Sequence, residues 1–469
     1  MLRSTTILTL VTLAGLVAGF AREWLLVANW GAGGATDAFL VAMFLPEAVR
    51  TTLAGGLLSA AGLPLWREIP DASRMGWLAG QVRHWLLVGC GVAVLLILAS
   101  TWVVQLIGPG LSVSDSQQSG QALFWLALTI PGVVLQAILT IPLQARGHFL
   151  LPGLSSLLFN LPAVGYLWFA GTNATSSTLA QFFILGSVLM AVVLLPKTWQ
   201  QGWRPLQVSN SGSVRQIWQR LWPLLASSGA SQGLALMERM VASLLGEGII
   251  TVVNFARKLV NISLIALMSL NQVLLSKMSG EIYPARRQTL DKGLFICTLL
   301  TLPAAAVLIG AAPALVTLLL PVGLANGPLP MLLALFAATI TFGSWNALLA
   351  RYYYADGDTR TPLFCELAGC ALQACLLLLL PWLGGVMGIG GAVMGGVLST
   401  ATLLAYRLDK ALLYKLFVLG AWSLMACGVS AGLLFSATAY GSWPQFSAAT
   451  LYGVLVFIAL VVWRRIHTK

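Results

Sequence analysis

The stretch ATDAFLVAMFLPEAVRTTLAGGLLSAAGLPL, residues 35–65, decides the class of this protein. Its only charges are Asp37, Glu47 and Arg50. A bilayer crossing takes about 20 mostly apolar residues, so the run reads as a membrane span with charge in its interior. Arg50 lies fifteen residues from either end and cannot easily reach water. A cation at the centre of a span costs roughly 2.5 to 3.5 kcal/mol on insertion scales, which usually means that it faces a cavity or a partner.

Comparable apolar runs flank this one on both sides. The expected spans lie near 5–29, 35–65, 84–107, 121–145, 149–171, 178–197, 220–246, 248–276, 293–320, 328–352, 361–383, 386–406, 412–436 and 446–463. The predicted fold class is therefore an all-α integral membrane protein of about fourteen transmembrane helices. Composition agrees: 58% of the 469 residues are hydrophobic, 9% are charged, and the mean hydropathy is +0.88. Soluble domains carry roughly 25% charged residues. The first run follows a single basic residue, Arg3, like a secretory signal, but it is too long and is expected to remain as a membrane helix. Cys90, Cys297, Cys365, Cys370, Cys375 and Cys427 all fall in apolar runs without metal or redox spacing, so they read as small apolar side chains.

The net charge of +12 does not mark a nucleic-acid binder, because the basic residues punctuate apolar runs instead of clustering on one solvated face. Five of the 26 basic residues, Arg22, Arg50, Arg239, Arg257 and Lys258, lie deep in spans. The others sit at the termini or in or beside every second connection, as in Arg67 to Arg83, Lys197 to Arg220 and Lys277 to Lys292. Short cytoplasmic loops hold the excess of Lys and Arg, so both termini are expected to be cytoplasmic. The alternate connections are short, the longest running from about Gly108 to Gly120, and leave no room for a folded outer domain.

Two echoes indicate an internal repeat. Val27-Ala28, Gly34 and Ala42 recur 214 residues later as Val241-Ala242, Gly248 and Ala256. Ala145-x-Gly147-x4-Pro152 recurs 210 residues later as Ala355-x-Gly357-x4-Pro362. Together they predict two pseudo-symmetric six-helix lobes in a parallel repeat, residues 1–200 and 201–410, followed by two extra helices and a cytoplasmic tail in 411–469. Two lobes around a midplane cavity are an alternating-access architecture.

The interior charges belong to spans 1, 2, 7 and 8. Glu47 shares a helix face with Arg50, so this pair reads as a structural ion pair, as part of a cavity, or as both. Arg257 and Lys258 lie about ten residues, or ~15 Å, below the outer end of their span, and at most one of these neighbours aims straight into a cavity. Glu238 and Arg239 lie at similar depth. Arg22 and Glu23 lie toward the outer part of span 1, within snorkelling range. Asp37 also fits a helix N-cap after Gly33-Gly34-Ala35-Thr36. The candidate substrate-binding residues are Arg22, Asp37, Arg50, Arg239, Arg257 and Lys258. Glu23, Glu47 and Glu238 are candidate ion-coupling or pairing groups. Arginine forks suit diphosphate oxygens bidentately.

Gly19-Phe20-Ala21-Arg22, Gly31-Ala32-Gly33, Thr36-Asp37-Ala38-Phe39, Leu45-Pro46 and Arg50 resemble the start of the MurJ/MviN lipid II flippases of the MOP exporter superfamily. The resemblance continues through Ala242-Ser243, Asn254-Phe255-Ala256-Arg257-Lys258-Leu259, Tyr354-Ala355 and Asp358-Thr359-Arg360-Thr361-Pro362, and covers residues 5 to 410. It implies two six-helix lobes plus two helices that carry undecaprenyl-diphosphate-linked glycans by alternating access. Leu16 stands where those flippases have an arginine, and Lys258 and Asn261 align with an arginine and then an acid, a register that a one-residue slip would change to bring in Arg257. These departures point to an exopolysaccharide repeat unit as substrate, with lipid II as the alternative. Biosynthetic glycosyltransferases are then natural partners.

Other classes fit less well. A membrane glycosyltransferase or polymerase needs catalytic groups near a leaflet surface, whereas His84, His148 and His467 all lie on the cytoplasmic side and the outer loops hold only Asp115 and Glu247 besides Asp37. A drug/cation antiporter favours acidic cavity residues. No cofactor or metal is expected. Without a nucleotide-binding loop, the drive is an ion gradient or the membrane potential, worth about 2.3 kcal/mol per charge per 100 mV.

Overall fold

The computed structural model describes residues 2–204, 214–261, 284–321 and 327–467, with single residues 274, 278, 281 and 324. Among them every regular element is helical. Lipid offers the backbone no hydrogen bonds, so an apolar run that crosses it satisfies its N–H and C=O groups within itself. Eleven helices of the described residues are long and apolar enough to cross a membrane.

Three of the fourteen expected spans fall outside those eleven. The run at 149–171 breaks at Leu154 into α8 (Leu150–Gly153) and α9 (Ser155–Ala170), which has only 16 residues. Span 220–246 forms α12 (Val214–Leu244), whose serines, Gln232, Glu238 and Arg239 dilute its apolar character. Most of span 248–276 lies outside the described residues, which end at 261 in the helix 249–261, α13.

The chain forms two compact units, Met1–Gly248 and Ile249–Lys469. The first opens with α1 (Leu2–Trp30) and α2 (Gly34–Val49), and continues through a π-helical segment, Arg50–Leu57, into α3 (Leu58–Glu68). Gly56 in that segment has φ 123°, a left-handed value open chiefly to glycine, so the long second run is kinked just after Arg50. Then come α4 (Asp71–Leu98), α5 (Ser100–Ile107), α6 (Val113–Ala127), α7 (Ile130–Ala145), α8, α9, α10 (Ser176–Val192), α11 (Leu195–Gln200) and α12. Helix α12 packs on α2, α3, α4, α5 and the π segment. A buried cluster of Leu58, Leu65, Trp66, Trp77, Trp85 and Ile138 joins α3, α4 and α7.

The second unit holds α13, α14 (Ala285–Gly310), α15 (Ala312–Leu319), α16 (Leu329–Ala355), α17 (Arg360–Gly384), α18 (Val386–Leu408), α19 (Lys410–Ala437) and α20 (Ser442–His467). Its core gathers Phe342, Trp345, Tyr352 and Leu404, and the Trp345 indole donates to Thr298 at 2.8 Å. Small residues bring helices close, as expected where lipid supplies no hydrophobic drive. A methyl at Gly388 would lie 2.3 Å from the Leu380 carbonyl.

The internal repeat is visible in the backbone. Gly147 and Gly357 both have φ 79°. In the first turn His148 N donates to Leu143 O at 2.8 Å and Gly147 N to Gln144 O at 3.0 Å, while in the second Asp358 N donates to Tyr353 O at 3.0 Å and Gly357 N to Tyr354 O at 3.1 Å. Each is a Schellman-type helix end. Two further pairs extend the match. Helices α9 and α17 end on Gly171 and Gly385, with φ/ψ of 54°/−135° and 55°/−138°. Ala99 and Ala311 break α4 from α5 and α14 from α15 at φ/ψ of −94°/9° and −91°/1°. Trp168 and Trp382, each three residues before its terminal glycine, are 70% and 71% exposed, as in an aromatic belt at a membrane boundary.

Candidate substrate site

Helix α1 reaches α9 through Gly15 and Gly19, one turn apart. A methyl at Gly15 would lie 2.9 Å from Ser156 Cβ, and one at Gly19 3.7 Å from Asn160 Nδ2. This approach delivers Arg22, 5% exposed, to α9. Its guanidinium donates to Asn160 Oδ1 and to Glu23 Oε1, both at 2.7 Å, and lies 5.3 Å from the centroid of the Phe183 ring. Asn160 is fixed in turn by donating to Ser156 O at 2.7 Å. Arg22 therefore turns inward and does not snorkel.

Arg50 stands at the first position of the π segment. It grips Glu47 with two bonds, Nε to Oε2 at 2.8 Å and Nη2 to Oε1 at 2.5 Å. It also lies 4.8 Å from the Phe159 ring. Phe159 and Phe183 are themselves 5.2 Å apart, and Phe183 stacks on Phe39 at 6.1 Å. Arg22 and Arg50 thus rest on adjoining rings of one aromatic floor assembled from α2, α9 and α10. Each guanidinium carries five N–H donors, and the bonds above engage two on each.

The expected partnership of Arg50 with Glu47 is present. Asp37, by contrast, does not cap α2: Gly33 is the N-cap and no side chain closes it. Asp37 is buried in the first turn, where it accepts the Gly248 backbone N–H at 2.7 Å. A carboxylate there is also favoured by the helix dipole. Gly248 has φ 80°, and a methyl on it would lie 2.7 Å from Ala32 O, so the turn after α12 sits directly on the Gly31–Gly33 loop.

Glu238 is buried, and the adjacent Arg239 lies over Phe44 at 4.3 Å. In the second unit Arg257 lies over Phe336 of α16 at 5.1 Å. Lys258 is half-buried on the same helix as Asn254 and Asn261. All four interior arginines therefore sit on phenyl rings, a contact worth about 0.5 to 2 kcal/mol each. Among the described residues no three His, Cys, Asp or Glu side chains gather to hold a metal ion, and no cysteine is in a disulfide.

The sequence reading missed Asn160, Phe159, Phe183, Phe44 and Phe336. Asn160 carried a signal, being the one amide in the run SSLLFNLPAVGYLWFA. The phenylalanines carried none.

A family model described as Lipid II flippase MurJ matches residues 26–462 of the chain. The chain belongs to the MurJ family. A Lipid II flippase MurJ of Burkholderia cenocepacia is 27% identical over 377 residues, covering 75% of this chain and 72% of the relative. Among solved structures, "Lipid II flippase MurJ, inward closed conformation" superposes with a TM-score of 0.82 at 17% identity over 100% of both chains. An inward-facing MATE multidrug resistance transporter of the MOP superfamily gives 0.67 at 12% identity, covering 88% of this chain and 95% of the other. The protein thus has the MurJ and MATE fold, a multi-pass membrane architecture, and relatives that are flippases and transporters rather than enzymes.

Proposed function

We propose that this MurJ-family protein moves a polyprenyl-diphosphate-linked glycan, foremost lipid II, from the cytoplasmic to the outer leaflet of the bacterial inner membrane. The observation that carries the reading is the pair Arg22 and Arg50, each held by an acid and set on adjoining phenyl rings inside a membrane protein. Fixed guanidinium planes with N–H edges to spare suit the oxygens of a diphosphate. Asp37, Arg239, Arg257 and Lys258 complete the substrate-binding set in this reading, and Glu23, Glu47 and Glu238 compensate or couple charge. The lobes 1–200 and 201–410 alternate access, residues 411–469 form an appendage, and both termini are cytoplasmic by the one-sided basic loops.

The names of the relatives reverse the order of substrates expected from the sequence, which placed an exopolysaccharide unit first. That second reading keeps one support, the departures at Leu16, Lys258 and Asn261. Complementation separates the two. Cells depleted of their lipid II flippase are expected to grow when this chain is expressed. Failure to grow despite normal membrane insertion would reject lipid II as substrate.

A further inference from the structure

On the side of the first unit where the connections hold no basic residue, a cavity of about 530 Å³ opens between α5, α6 and the start of α10. Ser100 and Thr101 line it from the first turn of α5, Gln117 and Gln121 from successive turns of α6, and Phe124 and Trp125 from the turn below. No lining residue is charged. Thr101, Gln117, Gln121 and Phe124 are exposed. Gln121 lies eight residues into α6, about 12 Å along the helix at 1.5 Å per residue. It begins the expected span 121–145, so the amides stand at the outer boundary of the membrane, level with the headgroups of outer-leaflet lipids.

The fold does not require this polarity. In the second unit the corresponding elements are α15, APALVTLL, and the first turns of α16, LPMLLAL. Their only hydrogen-bonding side chain is Thr317, which back-bonds to the Pro313 carbonyl. The amides and hydroxyls thus belong to the first unit alone, on a backbone that both units share.

The geometry points to a binding site for a neutral glycan. Each carboxamide offers both donors and an acceptor to vicinal hydroxyls or an acetamido group, and the Phe124 and Trp125 rings, 5.2 Å apart at 90°, offer apolar faces to the C–H side of a pyranose. The volume falls within the range of about 300–1,000 Å³ typical of small-molecule sites. The absence of lining charge sets the site apart from the arginine cluster, which meets the diphosphate. The occupant is the sugar portion of a lipid-linked glycan in the outer leaflet, an assignment that rests on the flippase reading and its topology.

The test uses the full chain in nanodiscs and the soluble disaccharide N,N′-diacetylchitobiose, followed by saturation-transfer NMR. The wild type is expected to give a saturable signal. Gln117→Leu with Gln121→Leu removes two polar anchors and is expected to weaken binding about tenfold or more, as two neutral hydrogen bonds at about 1 kcal/mol each imply. Gly120→Phe is expected to abolish it, since Gly120 lines the cavity, nothing lies within 4 Å of its Cβ position, and a ring there competes with the sugar for space. Arg50→Ala is expected to leave it unchanged. Three results overturn the site: no saturable signal in a wild type that complements the flippase-depleted cells, binding by the Leu and Phe variants equal to that of the wild type, or loss in those variants of a co-purifying membrane protein with no sugar signal. Failure of the wild type to complement, with disaccharide binding intact, overturns the lipid II reading instead.

Discussion

Helices α7 to α9 of the first unit and α16 to α17 of the second share turn geometry within a few degrees at two pairs of glycines, yet they serve different chemistry. In the register set by Gly171 and Gly385, Phe159 corresponds to Gln373 and Asn160 to Ala374. The first unit thus places a ring under Arg50 and an amide against Arg22. The second places Gln373 against Gly396, where a methyl would come within 2.6 Å of Gln373 Cβ, and closes α17 on α18. A cavity of about 330 Å³ there is lined by Asn346, Glu366, Gln373 and Thr400, with no cation. Three of the four contacts between an interior arginine and a phenyl ring belong to the first unit. The duplication reproduces the backbone, whose hydrogen bonds must close in lipid whatever the side chains are. Nothing of that kind forces the two halves to keep the same charges.

The largest expected effect comes from removing the first unit's arginine that grips its own acid over a phenyl ring. Arg50→Ala is expected to lower glycan translocation roughly a hundredfold, as loss of about 3 kcal/mol of charge-assisted bonding implies. Arg50→Lys is expected to recover little, because a point charge lacks the planar fork. If Arg50 only neutralised Glu47, then Arg50→Ala with Glu47→Ala would restore activity, since no buried charge is left uncompensated. The double variant is expected to stay inactive at normal membrane levels, measured as translocation per inserted protein. Recovery in the double variant would reduce the asymmetry between the units to a structural ion pair.

The legibility of the two units in the sequence differs for the same physical reason. Membrane class and repeat could be read because apolar runs, basic loops and the Ala145/Ala355 turn leave a pattern in residue type. Arg22 and Arg50 stood out because charge is rare in a span. The kink at Gly56 did not, since Gly55-Gly56 in an apolar run looks like ordinary small-residue packing. Nor did the backbone match of Ala99 with Ala311, because a break between apolar helices needs no particular side chain. Phe159 and Phe183 were hidden among 18 phenylalanines, most of which fit a lipid-facing or core role equally well. Only Asn160, a lone amide on an apolar helix, was within reach of a closer reading.

A second experiment sharpens the backbone side of the comparison. Gly147→Ala and Gly357→Ala each force a side chain into a left-handed turn, and neither Cβ meets another atom within 4 Å, so the cost is purely conformational. Each is expected to destabilise the protein by about 1–2 kcal/mol, with the two values equal to within about 0.5 kcal/mol. Denaturant unfolding of the purified variants measures this. A large inequality would show that the two turns differ in more than side chains.

The smallest effect lies one residue further on, where the matched turns carry His148 and Asp358. Asp358 accepts the backbone N–H groups of Arg360 and Thr361 at 2.9 and 3.0 Å at the start of α17. Hydrogen bonds from the Thr361 side chain and backbone, joined by that from Arg360, hold its carboxyl below the usual carboxylate range. A carboxyl whose pKa is lower folded than unfolded adds stability that is present above the unfolded value and is lost as pH falls through the folded one. Asp358→Asn keeps an acceptor oxygen but removes the charge that strengthens the bonds. The wild type is therefore expected to melt slightly above Asp358→Asn at pH 7, with the gap closing below about pH 4 as the carboxylate protonates. A gap between wild type and Asp358→Asn that persists unchanged to pH 3 would mean that the charge contributes nothing to the second turn, leaving the two halves alike there in energy as well as in shape.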